Sequence, residues 1–415
     1  MPRRGSVGSA WVAGRTALGA LVAATAVATA MPAGDIPATP AVQDVSSTIA
    51  SFHPAVVAVD SSASLSFSDI VVTLTPGEQR ALGIRVAGAV SADLIVGITH
   101  TNPAVAVLSD TIAVVSGSAR HASVRATALA AGVDTVVAVA AGRRPDTVIV
   151  VVDTGGVVLV GAGDIASCVS KGDEATARLL DSIAGTVFTT GDNVYPSGAA
   201  AEFAACYEPT WGRHKARTRP APGNHDYHTS GAAAYYAYFG DAAGPAGRGY
   251  YSYDFGAWHI VSLNSAVRMR GGSEQEQWLR ADLAASTSTC TLAYWHRPRF
   301  SSGSHGSSAA SAPLWQALYD AGADVVLVGH DHNYQRFAPQ TAAGDRDDAR
   351  GIRQFVVGTG GGSHYGFTTA IANTEAFNTD TYGVLKLTLY AQRYVWEFIP
   401  VAGGTFRDAG VGTCH

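Results

Sequence analysis

Five short segments of this chain each end an apolar run on residues of the kind that ligate metal ions. They are VVLVGAGDIA (157–166), VFTTGDNVYP (187–196), RPAPGNHDYH (219–228), TLAYWHRPRF (291–300) and VVLVGHDHNYQRF (325–337). A single Gly-Asp or Gly-His is ordinary turn chemistry. Five in series, each where an expected strand stops, would gather Asp, Asn and His at a sheet's carboxyl edge, where open α/β sheets place their ligands. Carboxylate, amide oxygen, imidazole and phenolate together suit cations of intermediate hardness. His330 and His332 are two residues apart, so on an extended strand end both rings project to one side. The chemistry such a cluster points to is that of a two-metal phosphoesterase.

On these motifs (GD, GDxxY, GNHD, a strand-end His and GHxH) the chain resembles the calcineurin-like metallophosphoesterase superfamily over residues 157–415, and within it the purple acid phosphatase branch. Many members of the superfamily open with Asp-x-His. Here Ile165-Ala166 follow Asp164, and Tyr195, three residues after Asp192, stands in place of that His. The resemblance implies two metal ions per chain, Fe(III) paired with Fe, Zn or Mn. Asp164, Asp192, Tyr195 and His332 would hold the first; Asp192 would bridge to the second, completed by Asn224, His296 and His330. It implies hydroxide generated between the metals attacking phosphorus in line, with His225 as general acid to the leaving alkoxide and Asp226 orienting that ring. His305, nine residues after His296, matches a histidine on the substrate side. Ligation of Fe(III) by Tyr195 would give a charge-transfer colour; a Tyr195 that only packs the loop would leave a site for Mn, Zn or other divalent ions.

Other residues near the motifs read as structural. Arg297 and Arg299 are charges of a solvated loop, with phosphate contact as the alternative. His228, His364 and Tyr365 sit in motif loops or a Gly-rich turn, and Asn193 reads as a hydrogen-bonding neighbour rather than a ligand. Trp278 and Trp315 fall on amphipathic helical patterns and belong to the core. The rim segments 228–250 and 297–312 are rich in Gly, Ser, Ala and Tyr with few charges, and name no leaving group.

The elements that must position these residues alternate. After Asp153-Thr154-Gly155-Gly156, strands are interspersed with helical segments EATARLLDSI (174–183), SEQEQWLRADLAA (273–285) and PLWQALYDAG (313–322), and with consecutive strand runs YYSYDF and WHIVSLN. Such a pattern predicts an α/β domain with mixed sheets; the resemblance makes it a metallophosphoesterase sandwich of two mixed β-sheets flanked by helices, spanning 157–415. Upstream, residues 51–153 carry short β-branched runs (AVVAVD, DIVVTLTP, LIVGITH, AVAVLS, TIAVVSG, ASVRATAL, DTVVAVAA, DTVIVVVD) at the spacing of an all-β sandwich. That stretch resembles a bacterial Ig-like domain of the Big-2 type, and holds no metal-ligand cluster. Spacing, stability or cell-wall contact are the roles open to it.

The 415 residues are 47% hydrophobic and 15% charged, which predicts a large core rather than disorder. Arg3, Arg4 and Arg15 precede an Ala-rich apolar stretch ending at Ala28-Thr29-Ala30, the pattern of an export signal over 1–30. Sec and twin-arginine export both remain open. A Pro/Ala/Ser-rich linker follows over 31–50, and no later apolar run is long enough to span a membrane. Losing the signal removes three Arg and no acid, taking the formal charge from −5 to −8. A secreted protein of that charge has no general attraction to nucleic acid or anionic membranes, so a phosphate-ester small molecule is the expected partner. Cys168, Cys206, Cys290 and Cys414 fit an oxidising compartment and allow three pairings, with Cys168–Cys206 and Cys290–Cys414 favoured and free buried thiols the alternative. Phosphomonoester hydrolysis is the leading reading. A phosphodiesterase on the same centre is its enzymatic rival, and a cell-wall binding protein with an inactive esterase domain is the rival from another class. Oligomeric state is not written in the sequence.

Overall fold

The computed structural model describes residues 63–90, 93–116, 119–367 and 369–415. The expected export signal, the linker and the AVVAVD run lie outside the described residues.

The β-branched runs upstream form two sheets. One has the strand order Leu65–Phe67, Gln79–Val86, His121–Ala128, Ala106–Leu108. The other runs Val71–Leu74, Asp146–Val152, Gly132–Val139, Leu94–His100, Ile112–Val115. All pairings are antiparallel except Val71–Leu74 with Asp146–Val152. Every second residue faces inward, so Leu82, Ile84, Val124 and Ala126 meet Val96, Val136, Ala138 and Val148 in one apolar layer. The expected runs omit Gln79–Val86, because Gln79, Arg80 and Gly83 dilute its alternation; Leu82, Ile84 and Val86 are nonetheless buried.

From Val157 two further sheets pack face to face. The six-stranded sheet has the order Thr218–Ala221, Thr186–Thr190, Val157–Ala162, Gly383–Leu389, Arg393–Pro400, Ala409–Thr413, its first three strands parallel and the rest antiparallel. The seven-stranded sheet has the order Tyr251–Phe255, Trp258–Ser262, Cys290–Tyr294, Val325–Val328, Arg353–Val357, Tyr334–Phe337, Thr374–Asn378, with four parallel strands in its middle. Strand periodicity divides the second sheet's apolar residues between two cores. Ile260, Leu292, Leu327 and Phe355 face the first sheet, where Leu159, Phe188, Leu385 and Trp396 meet them. Val261, Ala293, Val326 and Val356 face outward against Leu279 of helix Glu274–Ala285 and Leu314, Trp315 and Leu318 of helix Ala312–Asp320. Both helices fall where their apolar spacing predicts, the first capped by Ser273, whose hydroxyl accepts from the Glu276 amide. Trp315 is fully buried, and Trp278 packs half-buried on the same layer.

Val151 of the upstream sandwich packs on Tyr390 and Val395, and Arg393 donates to Asp153 at 2.7 Å. The disulfides pair Cys168 with Cys206 and Cys290 with Cys414.

Candidate metal centre

Each motif follows a strand: Val157–Ala162, Thr186–Thr190, Thr218–Ala221, Cys290–Tyr294 and Val325–Val328. Three of these strands belong to the six-stranded sheet and two to its partner. The cluster therefore sits where the carboxyl ends of two packed sheets meet, and not along the edge of one sheet. A cluster spread over one edge would be shallow; two facing edges enclose it, and Asp164, Asp192 and His296 are almost wholly inaccessible.

The glycines ahead of the motif residues follow from that closeness. A Cβ on Gly223 would lie 2.1 Å from Asp192 Oδ1, and one on Gly329 would lie 2.5 Å from Asp164 Oδ2. The loops also turn sharply enough to hold Asp164 (φ 59°), Asp192 (φ 48°) and His330 (φ 73°) in the left-handed region. Non-glycine residues pay roughly 1–3 kcal/mol each for such strain, and it persists only where surrounding contacts fix it. Here the Asp164 amide donates to Gly191 O at 3.0 Å, and the His330 amide donates to Asp164 Oδ2 at 2.8 Å.

Side-chain donors converge in two groups. Tyr195 Oη lies 2.9 Å from Asp164 Oδ1, 3.2 Å from Asp192 Oδ2 and 2.9 Å from His332 Nε2. His296 Nε2 lies 3.0 Å from Asn224 Oδ1, 3.3 Å from Asp192 Oδ2 and 3.1 Å from His330 Nδ1. Asp192 belongs to both groups, and all seven expected ligands are accounted for between them.

Two backbone carbonyls decide what these groups need. His296 Nδ1 meets Thr190 O at 2.9 Å, and His332 Nδ1 meets Ser363 O at 2.6 Å. A carbonyl only accepts, so each Nδ1 carries the hydrogen, and each ring, when neutral, turns an Nε2 lone pair into the cluster. At His296 that lone pair faces an amide oxygen, a carboxylate and another imidazole nitrogen. Acceptors at 3 Å repel unless a proton or a cation lies among them. Electrostatics agree: burial works against a charged His296, yet Asp192 overrides it and pushes the pKa up to about 9. Burial pushes Asp164 and Asp192 upward too, but His332 and His296 hold them below the usual carboxylate range. His330, the last to be charged, is pushed down to about 3 by burial and by His296. Burial and the two carboxylates hold the Tyr195 phenol well above its ordinary value, so only strong positive charge would ionise it. The donor set thus fits a pair of cations of intermediate hardness.

His225 and His305 sit at the mouth. The His225 ring is part-exposed, its Nε2 3.9 Å from Asp192 Oδ2, and its amide donates to Asp192 Oδ1 at 2.8 Å. The expectation that Asp226 orients this ring is overturned. The Asp226 carboxylate is buried and accepts from the Gly223 amide at 2.8 Å and Asn193 Nδ2 at 3.0 Å, which holds the GNHD turn closed. Burial and the Asp192 charge push its pKa up to about 7. What orients His225 is the Pro196 carbonyl, 2.7 Å from Nδ1. His305 is exposed and lies edge-on to His330, ring centroids 4.3 Å apart.

Among residues read as structural, His228 shares the Pro196 carbonyl with His225 at 3.2 Å, and Tyr365 stacks on His332 at 3.9 Å. His364 stacks instead on Tyr382, and Asn193 donates to Ala221 O and Asp226. Arg299 donates to Ala342 O and lies over Phe300, turned to the interior. Asp331 escaped the sequence reading altogether. Buried between the two histidines of GHDH, it accepts from Ser301 Oγ and from the His305 amide, and so anchors the loop that carries His305. Its position one residue off the His330/His332 alternation is the signal that was there to find.

The sequence matches the family model described as calcineurin-like phosphoesterase over residues 105–334, beginning within the upstream sandwich. Purple acid phosphatase 21 of Arabidopsis thaliana is 34% identical over 119 residues, 27% of this chain and 26% of that protein. The nucleotide pyrophosphatase/phosphodiesterase of Hordeum vulgare is 33% identical over 105 residues, 23% of this chain and 28% of that protein. The matched stretch thus spans about a quarter of the length of either relative. The structure of a purple acid phosphatase from yellow lupin (Lupinus luteus) seeds is similar with a TM-score of 0.51 at 16% identity, covering 84% of this chain and 73% of that one, a likeness of fold.

Proposed function

The chain belongs to the calcineurin-like phosphoesterase family, and from that premise we propose that it is a secreted di-metal hydrolase of phosphate monoesters. The observation that carries this is the convergence of His Nε2 atoms with carboxylate, amide and phenol oxygens in one buried cluster. Asp164, Asp192, Tyr195 and His332 would hold one ion, Fe(III) if Tyr195 ligates; Asp192, Asn224, His296 and His330 would hold the other, Fe, Zn or Mn. Bound there, the pair supplies charge neutralisation for the phosphoryl oxygens and acidifies water to a nucleophile.

The chain's own residues do the rest. Asp192, in both groups, fixes their separation. The Thr190 and Ser363 carbonyls hold His296 and His332 in the tautomer that leaves Nε2 free. His225 keeps its Nδ1 hydrogen on Pro196 O, so a proton carried on Nε2 is available to the leaving alkoxide. His305, tethered by Asp331 at the rim, faces incoming phosphate.

The two disulfides support an oxidising destination, reached through the signal at 1–30. We assign 51–153 to an Ig-like sandwich, a domain available for cell-wall contact, and 157–415 to catalysis. Turnover of p-nitrophenyl phosphate against bis(p-nitrophenyl) phosphate tests the reading. Preference for the monoester is expected. Preference for the diester would favour the alternative that the barley relative's name suggests, and turnover of neither would bring forward a wall-binding protein.

A further inference from the structure

The rim read from sequence as poor in charge is not so once folded, because a segment distant in sequence completes it. The loop 263–272 brings Arg268 and Arg270 beside Arg297, the residue after the His296 ligand, around an open hollow of about 620 Å³. Ser308 and Ala310, on the loop that carries His305, form another wall. The loop is built in place. Gln275 clamps its base through two hydrogen bonds to Asn264, at 2.7 and 2.9 Å, and Met269 is buried in the outer core. The Arg297 amide donates to Ser265 Oγ at 3.0 Å, which stitches this loop to the His296 segment.

All three guanidinium groups are exposed, and among the described residues none is in an ion pair. By contrast Arg248, in the adjoining hollow that Arg268 and Arg270 also line, is neutralised by Glu274 at 2.7 Å. Three unpaired Arg on one side of a phosphoester site, in a chain of net charge −5, form a local positive field. Arg297 directly follows His296 in the chain, so the hollow it lines adjoins the site. Guanidinium is the side chain best matched to phosphate, through paired N–H donors and a permanent charge.

Resting on the phosphoesterase reading, we propose that Arg268, Arg270 and Arg297 form a second phosphate subsite, and that the natural substrates are small molecules carrying at least two phosphate groups. One phosphate is cleaved at the metal centre while another is held by the arginines.

The test compares kcat/KM for p-nitrophenyl phosphate with kcat/KM for adenosine diphosphate and for fructose 1,6-bisphosphate, in the full-length enzyme and its variants. In the Arg268→Glu/Arg270→Glu double variant, the ratio of either bisphosphorylated substrate to p-nitrophenyl phosphate is expected to fall by about tenfold or more, the scale of losing one charge-assisted phosphate contact. Arg248→Ala, which removes an already paired charge, should leave both ratios in place. A fall with both substrates identifies phosphate itself as the ligand; a fall with adenosine diphosphate alone identifies a nucleotide as its source. An unchanged ratio in a double variant that still turns over p-nitrophenyl phosphate overturns the subsite alone. No turnover of any substrate by the parent enzyme overturns the phosphoesterase reading and the subsite with it.

Discussion

Gly223→Ala adds one methyl group and removes no ligand, so it isolates the placing of the donors from their identity. The new Cβ would stand 2.1 Å from Asp192 Oδ1, 2.2 Å from its amide nitrogen and 2.8 Å from its carboxyl carbon. Ordinary contact begins near 3.4 Å, so something must move by more than 1 Å. Because one clashing atom is backbone, a rotamer change cannot absorb it. The neighbours that must yield are Asp192, common to both donor groups, and Asn224, next in the chain. A misplacement of about 1 Å in a catalytic group costs on the order of 100-fold in rate, and overpacking costs a further ~1–3 kcal/mol of stability. The assay is kcat/KM on p-nitrophenyl phosphate, with thermal unfolding to show that the variant is folded. Gly155→Ala, whose Cβ meets nothing closer than 3.9 Å, is the control. A Gly223→Ala enzyme within threefold of the parent would refute the claim that the GNHD glycine exists to let Asp192 approach.

Further outcomes follow from the same geometry. His225→Ala should keep its metals and lose rate, most for substrates with poor leaving groups; loss of metal from that variant, seen by elemental analysis, would contradict the general-acid role. The buried His259 ring bonds Asp282 at Nε2 and Asp254 at Nδ1, both 2.9 Å, and the Asp282 bond first, against burial, raises its pKa. A raised folded pKa means that the stabilisation is complete below the ordinary value near 6.5 and fades as pH rises through the folded value. Urea unfolding of His259→Gln should therefore fall short of the parent by more at pH 6 than at pH 9, and an equal shortfall would refute the linkage. Cys290–Cys414 closes a span of 124 residues and pins the C-terminus, so Cys414→Ser should cost about 2–5 kcal/mol in the same assay.

What the sequence disclosed and what it hid divide along one physical line. The five motifs were legible because each packs its information locally, as an apolar strand, a glycine and a donor. The mixed α/β fold of the second part followed from the same alternation. Features set by tertiary packing were not legible. Nothing in VVLVG or VFTTG says that their strands lie in one sheet while TLAYW lies in the other. Asp226, adjacent to His225 in the chain, invited a contact that the tight GNHD turn prevents by sending the two side chains apart. Asp331 points away from His330 and His332 for the reason those two point together, and on that far side it meets the His305 loop that it anchors. Arg268 and Arg270 are about thirty residues from Arg297 in sequence, and only the sheet order brings them together.

Metal content and a visible spectrum, on protein purified from metal-replete medium, decide whether the buried donors hold two cations. About two ions per chain are expected, lost on Asp192→Asn, and with iron bound a visible band that Tyr195→Phe abolishes. A folded protein that takes up no metal would contradict the two-cation reading.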